Sequence, residues 1–184
     1  MQKTYWILLA IGTVVMIIIM RETGKSLVTP YTPAGIINLE LSRSRTNVRN
    51  ILNIWSSSNG DQTNNIRVAK NNTYLDFLFI LFYVPFLYFS SIWATKQFHK
   101  RSGWANLGNY VTWFCLIAGA LDILENIGML LSLHEHLNTT TILFTFSCSL
   151  FKWLLVAATL TYLALSLLKK FFVPHKSFPA DKKK

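Results

Sequence analysis

Acidic residues are scarce in this chain: eight Asp and Glu in 184 residues, against 18 Lys and Arg. Charged residues of both signs reach only 14%, whereas a soluble domain carries about a quarter. That shortage argues against an ordinary water-soluble globule. Cysteine is nearly missing as well, and two residues of it cannot make a disulfide scaffold. The common catalytic signatures are lacking: there is no His-Glu-x-x-His, no Gly-x-Ser-x-Gly, no P-loop and no Cys-x-x-Cys. No Gly-x-x-x-Gly face marks a helix-dimer contact. Chemistry built on those motifs drops out, and no cofactor is expected.

What is abundant is apolar residues, 52% of the chain, and they arrive in long blocks. A membrane span needs about 20 mostly apolar residues at 1.5 Å each. Four blocks qualify once extended to their flanks, at about 4–21, 73–95, 106–132 and 140–168. The first resembles a signal peptide in its basic start and apolar run, but Met20-Arg21-Glu22 is a poor cleavage site. It is read as an uncleaved span. The expected fold is therefore all-α: a four-helix transmembrane bundle forming a single membrane domain over 1–184.

The net charge of +10 looks at first like a nucleic-acid signal. The basic residues, however, sit in loops and in the tail 169–184, flanking the spans, with no nucleic-acid motif. That is the pattern of topology signals and anionic-lipid contacts. Partners are then membrane lipids, with a homo-oligomer open to a bundle of this size, and not nucleic acid. Lys3, Lys96, Lys100, Arg101 and the tail fall on one side, which predicts a multi-pass protein of the cell membrane with both termini cytoplasmic. Cys115 and Cys148 lie about 16 Å apart in depth by helical rise, too far for a disulfide, so two free packing thiols are expected.

The long outer loop carries its own helical pattern. Thr32-Pro33 is a helix start by residue type, and Ile37, Leu41, Val48, Leu52 and Trp55 recur at helical spacing. An amphipathic helix over about 33–57 is predicted, lying across the outer mouth of the bundle. Glu40 sits beside its apolar stripe. A contact with Arg43 or Ser44 on the same helix is the preferred reading; the alternative is that Glu40 reaches into the bundle from above.

Span 3 holds the feature that asks for an explanation. Asp122, Glu125, Asn126 and Met129 follow i, i+3, i+4, i+7 and share one face. Below them the same face is small: Cys115, Ala118 and Gly119. Span 4 carries Lys152, flanked at helical spacing by Ser149 and Thr159, and span 2 carries Asp76, Tyr83 and Ser90 at seven-residue intervals, with Pro85 expected to kink it. Taking each span's midpoint as the bilayer centre, Asp122 and Lys152 share a level about 3–5 Å to the outer side, with Glu125 and then Asp76 above. An unpaired charge there costs about 2.5–3.5 kcal/mol or more. Pairing Lys152 with Asp122 or Glu125 removes much of that and leaves one carboxylate over. His134-Glu135-His136 offers two histidines but no third ligand nearby, so no metal site is expected.

The series Thr32-Pro33-Ala34-Gly35-Ile36, Leu39-Glu40-Leu41, Trp55, Leu75-Asp76-Phe77, Leu121-Asp122-Ile123-Leu124-Glu125-Asn126 and Phe151-Lys152 resembles a set of small, uncharacterised bacterial four-span membrane proteins. Asn38 and Ser42 depart from that pattern near the glutamate. The resemblance implies no activity. It does imply a bacterial inner membrane and one shared site of Glu40, Trp55, Asp76, Asp122, Glu125, Asn126 and Lys152, to which the spacing argument adds Tyr83. Three functions compete. The cluster binds a small cation, proton or lipid head-group; or it is an intramembrane lipid-modifying enzyme with Asp122 or Glu125 as acid/base and Lys152 as stabiliser; or it is the internal ion pair of a structural or accessory subunit.

Overall fold

A computed structural model describes residues 3–57, 65–98 and 102–172 of the chain. Within them the architecture is an all-α bundle. Helices α1 (Lys3–Thr23), α4 (Asn65–Thr95), α5 (Gly103–Leu133) and α6 (Thr139–Phe172) form its staves, and α2 (Ile37–Glu40) and α3 (Arg45–Ser56) cap one end. All four long helices are long and apolar enough to cross a bilayer. Most of the basic tail, from residue 173 on, lies outside the described residues, as do Lys100 and Arg101.

Neighbouring staves run antiparallel. Trp6 meets Ser90 while Met20 meets Asn72; Ser91 meets Cys115 while Tyr83 meets Asp122; Trp104 meets Tyr162 while Asp122 meets Lys152. One end of the bundle therefore gathers the start of α1 and the far end of α6, and the other end bears the cap.

Helix α5 is the central stave, packed against both α4 and α6. Small residues let it in. A Cβ on Gly108 would strike Thr95 and Tyr162, and one on Gly128 would strike Thr145, so close backbone approach is built into both ends of α5. Helix α4 runs on through Pro85 as one element. Helix α1 is peripheral, packed on α4 along most of its length and turning Ile7, Ile11, Val14 and Ile18 outward. Two polar contacts fasten it: Trp6 Nε1 donates to Ser90 Oγ at 2.9 Å, and Asn72 Nδ2 donates to the Met20 carbonyl at 2.8 Å. Cys115 and Cys148 are both buried free thiols.

The cap departs from the continuous helix expected over 33–57. Gly35 adopts φ +58, a left-handed turn that stops a right-handed helix. Thr32 does not start the helix; its hydroxyl donates to the Leu27 carbonyl at 2.7 Å. The helix then breaks again at 41–44. Ser44 is extended, and its side chain accepts from the Asn47 N–H at 3.2 Å, capping α3 afresh. Ser42 turns its hydroxyl back to the Asn38 carbonyl at 2.6 Å. Polar side chains that bond the local backbone compete with a helix in this way. The break rotates the first half of the stripe: Ile37 and Leu41 face out, and Leu39 and Glu40 face in. Leu39, Val48, Leu52 and Trp55 of the cap then form one apolar core with Met129, Leu133 and Ile142 of the bundle.

Candidate functional site

The i, i+3, i+4 spacing on α5 does put Asp122, Glu125 and Asn126 on one buried face, with exposures of 2%, 0% and 0%. Lys152 of α6 comes in at the level of Asp122. Its ammonium donates to Asp122 Oδ1 at 2.9 Å and lies 2.7 Å from Glu125 Oε2 and 3.9 Å from Glu40 Oε2. Tyr83 of α4 completes the group by donating its hydroxyl to Asp122 Oδ2 at 2.6 Å. Two staves and the cap meet at one ammonium, and the third stave joins through Asp122.

The expectation of a Glu40 contact with Arg43 or Ser44 is thus overturned. Because α2 ends at Glu40 and the chain turns, the side chain points down into the bundle, while Arg43 lies over the Phe146 ring at 4.4 Å. Asp76 of α4 sits beside the group instead of in it. It is half-buried, and its Oδ2 accepts from Asn126 Nδ2 at 2.7 Å. Trp55, fully buried, stands outside the cluster altogether. Its Nε1 donates to the Leu27 carbonyl at 3.1 Å, tying α3 to the turn after α1.

Satisfaction is uneven across the cluster. Asp122 is bonded at both oxygens, by Lys152 and Tyr83. Glu125 is not. Lys152 reaches Glu125 Oε2 as an ion pair at 2.7 Å, and Glu125 Oε1 is buried without a hydrogen-bond partner. Glu40 Oε2, Asn126 Oδ1 and Ser149 Oγ are likewise buried without a hydrogen-bond partner. Three carboxyl groups, those of Glu40, Asp122 and Glu125, therefore surround one ammonium, with Asp76 close by. Burying an ion without compensation costs several kcal/mol even after relaxation, so a fully ionised cluster of this composition carries an uncompensated excess of negative charge.

The clearest grooves lie elsewhere. One of about 580 Å³ is lined by Thr23, Asn71, Tyr74 and Leu78 on the outside of the α1–α4 seam, and one of about 500 Å³ crosses the outer surface of the cap by Asn38 and Asn50. His134, Glu135 and His136 are exposed, with His134 Nδ1 3.4 Å from Lys70 Nζ. Among the described residues no three His, Cys, Asp or Glu side chains are grouped to hold a metal ion. The role of Asn72 as the clasp on α1 was not visible in the sequence, where it is the second of two adjacent asparagines just before the span expected from 73.

No protein family, curated protein or solved structure matches this chain. The resemblance drawn from the short motifs gains no support there, and the functional reading rests on the geometry alone.

Proposed function

We propose that this is a multi-pass protein of the cell membrane whose acid–lysine cluster binds protons, with Glu125 as the principal acceptor. The observation that carries the reading is the state of Glu125: a carboxyl group with no exposed surface, one oxygen without a hydrogen-bond partner, and an ammonium that it shares with other carboxyl groups. Protons relieve such an excess, and an intramembrane carboxyl of this kind is a functional group by default. Among the expected ligands a proton suits the site best. Lys152 already fills the centre with a positive charge, which disfavours a metal cation. A lipid head-group needs room at the ammonium, and Glu40, Asp122 and Glu125 already crowd it. A lipid-modifying enzyme needs its acid and base at a pocket that opens to lipid, whereas Asp122, Glu125 and Lys152 are all buried.

A second reading, that the cluster fastens the helices, is favoured by the complete bonding of Asp122. The two readings divide between neighbours: Asp122 with Lys152 and Tyr83 is the fastening, and Glu125 is the group left over. Outward-facing Ile and Val on α1 fit a lipid surround. The basic flanks fit cytoplasmic termini.

Infrared spectroscopy of the purified chain in detergent tests the proposal. A carbonyl band from protonated carboxyl groups should appear and disappear reversibly as pH is varied, and Glu125→Gln should remove the largest part of it. A spectrum with no titrating buried carboxyl over the range where the protein stays folded overturns the reading and leaves the fastening alone.

A further inference from the structure

Proton binding in a closed cluster raises the question of how a proton reaches it. The bundle differs on the two sides of Lys152. Toward the termini the next layer is apolar or small: Leu87, Cys115 and Val156 pack together, with Ala118 buried beside them. The nearest hydroxyls beyond it, Ser91 and Thr159, lie at the Cys115 sulfur, and Thr159 donates to its own helix. Toward the cap an apolar core of Leu39, Met129 and Leu133 covers part of the bundle, and a buried polar group lies beside it on the α4 side. There Asn126, fully buried, has its amide oxygen unpartnered and its amide nitrogen on Asp76.

Asp76 stands out among the four carboxyl groups. Glu40, Asp122 and Glu125 are all buried, at 8%, 2% and 0% exposure, whereas Asp76 is half-buried and so is the one within reach of the surface. It lies seven residues from Tyr83 on α4, about 10 Å nearer the cap by helical rise. The groups facing it are Asn126 and Asp122 of α5, Lys152 of α6 and Glu40 of the cap. Asn126 lies one turn from Asp122 on α5, so its hydrogen bond holds the Asp76 carboxyl toward Asp122, next to the ammonium that Asp122 shares with Glu125.

We infer that Asp76 is the relay through which protons pass between the cap-side surface and the buried carboxyl groups, with Asn126 as its positioning residue. The inference rests on the proton-binding reading. The step is a plain proton transfer. Asp76 takes a proton from water at the cap end, its O–H bond breaks as an O–H bond forms on Glu125 or Asp122, and the Asp76 carboxylate is regenerated. The apolar layer around Leu87 and Val156 makes this exchange one-sided.

Time-resolved infrared spectroscopy after a pH jump, on the full chain in detergent, separates the two claims. Final amplitude reports proton binding, and rate reports the relay. Asp76→Asn should slow protonation of the buried carboxyl groups by roughly tenfold or more, the scale of a lost proton-transfer group, while keeping the Glu125 contribution to the amplitude. Asp76→Glu should restore the rate to within about twofold of the wild type, a rescue expected only if a titratable group is what position 76 supplies. Asp76→Ser provides the same test if the asparagine variant does not fold. Glu135→Gln, in the exposed loop, serves as a surface control and should leave the rate unchanged. A wild-type rate in Asp76→Asn with a normal amplitude overturns the relay and spares proton binding, as does a slowed Glu40→Gln beside an unslowed Asp76→Asn. Absence of any titrating band in the wild type overturns proton binding itself.

Discussion

The two halves of this bundle contain comparable polar side chains and use them in opposite ways. In the half toward the termini, Ser90, Thr95, Thr112 and Thr159 each donate to the carbonyl four residues back on their own helix. Apart from Trp6 to Ser90 at 2.9 Å and Tyr162 to the Trp104 carbonyl at 3.2 Å, polar contacts between helices there are long: Ser91 to Cys115 at 3.7 Å, Cys115 to Thr159 at 3.9 Å, Thr95 to Tyr162 at 3.4 Å. In the half toward the cap, the bonds that matter run between helices and involve charge: 2.6 Å from Tyr83 and 2.9 Å from Lys152 to Asp122, 2.7 Å from Asn126 to Asp76. A hydroxyl can satisfy itself on its own backbone at little cost to either helix. A carboxylate has no donor to offer and must find one across the interface. The difference lies in the chemistry of the group more than in the number of polar positions.

Removing the shared cation should have the largest effect. Lys152→Met leaves Asp122 and Glu125 buried without their partner, and breaking such a pair costs about 3–5 kcal/mol. The measurement is the unfolding free energy in mixed micelles titrated with a denaturing detergent. Neutralising the site together, as Asp122→Asn, Glu125→Gln and Lys152→Met in one chain, should recover a large part of that loss, because uncharged side chains of similar volume often replace a buried ion pair at little cost. A triple variant as unstable as Lys152→Met alone would mean that the cap half depends on shape and not on charge, and the contrast between the halves would fail.

Tyr83→Phe comes next. It deletes one hydroxyl and keeps the ring, which packs with Phe79 at 4.8 Å. Hydrogen bonds to charged groups contribute about 1.5–3 kcal/mol, so a loss in that range is expected by the same unfolding titration. A loss below about 0.5 kcal/mol, within the range of ordinary surface substitutions, would show that Asp122 is held by Lys152 alone.

Much of this contrast was legible in the chain before any coordinates, and the reason is geometric. Four apolar blocks announce four helices because lipid imposes a length and a composition. Asp122, Glu125 and Asn126 share a face because helical spacing admits nothing else, and Lys152 meets Asp122 because antiparallel spans can be aligned by their midpoints. Glu40 and Trp55 were harder. Their directions depend on Gly35 at positive φ and on Ser44 capping a second helix, two local backbone choices that an apolar stripe at roughly helical spacing does not reveal. Asp76 was placed on the right face, but the hydrogen bond from Asn126 that ties it to the cluster is something hydropathy cannot show.

Trp55→Phe probes how the cap is held over the charged half. The indole N–H donates to the Leu27 carbonyl at 3.1 Å from a fully buried ring. Phenylalanine keeps most of the apolar contact and drops the donor, which should cost about 1 kcal/mol. Hydrogen exchange over Arg45–Ser56 should rise while the amides of α5 hold their protection, since local opening of a cap does not require the bundle to part. Equal increases in both segments would mean that the cap and the cluster open as one unit, and Glu40 would then be a structural member of the bundle.

Thr159→Val should have the smallest effect, and it is the control on which the comparison depends. Thr159 is fully buried opposite Cys115, in the same bundle core as the cluster but on its termini side. Its hydroxyl donates to the Leu155 carbonyl at 2.9 Å within α6, and its contact with the Cys115 sulfur is 3.9 Å long. Valine has nearly the same shape, and the Leu155 carbonyl keeps its backbone partner, so little is left unsatisfied. The expected change is within about 0.5 kcal/mol, because deleting a hydroxyl that bonds its own helix removes no link between helices. If Thr159→Val instead matched Tyr83→Phe, the long sulfur contact would have to be a true interhelical bond. The polar groups of both halves would then belong to one network from Tyr162 to Asp76, and the dry layer that makes proton access one-sided would not exist.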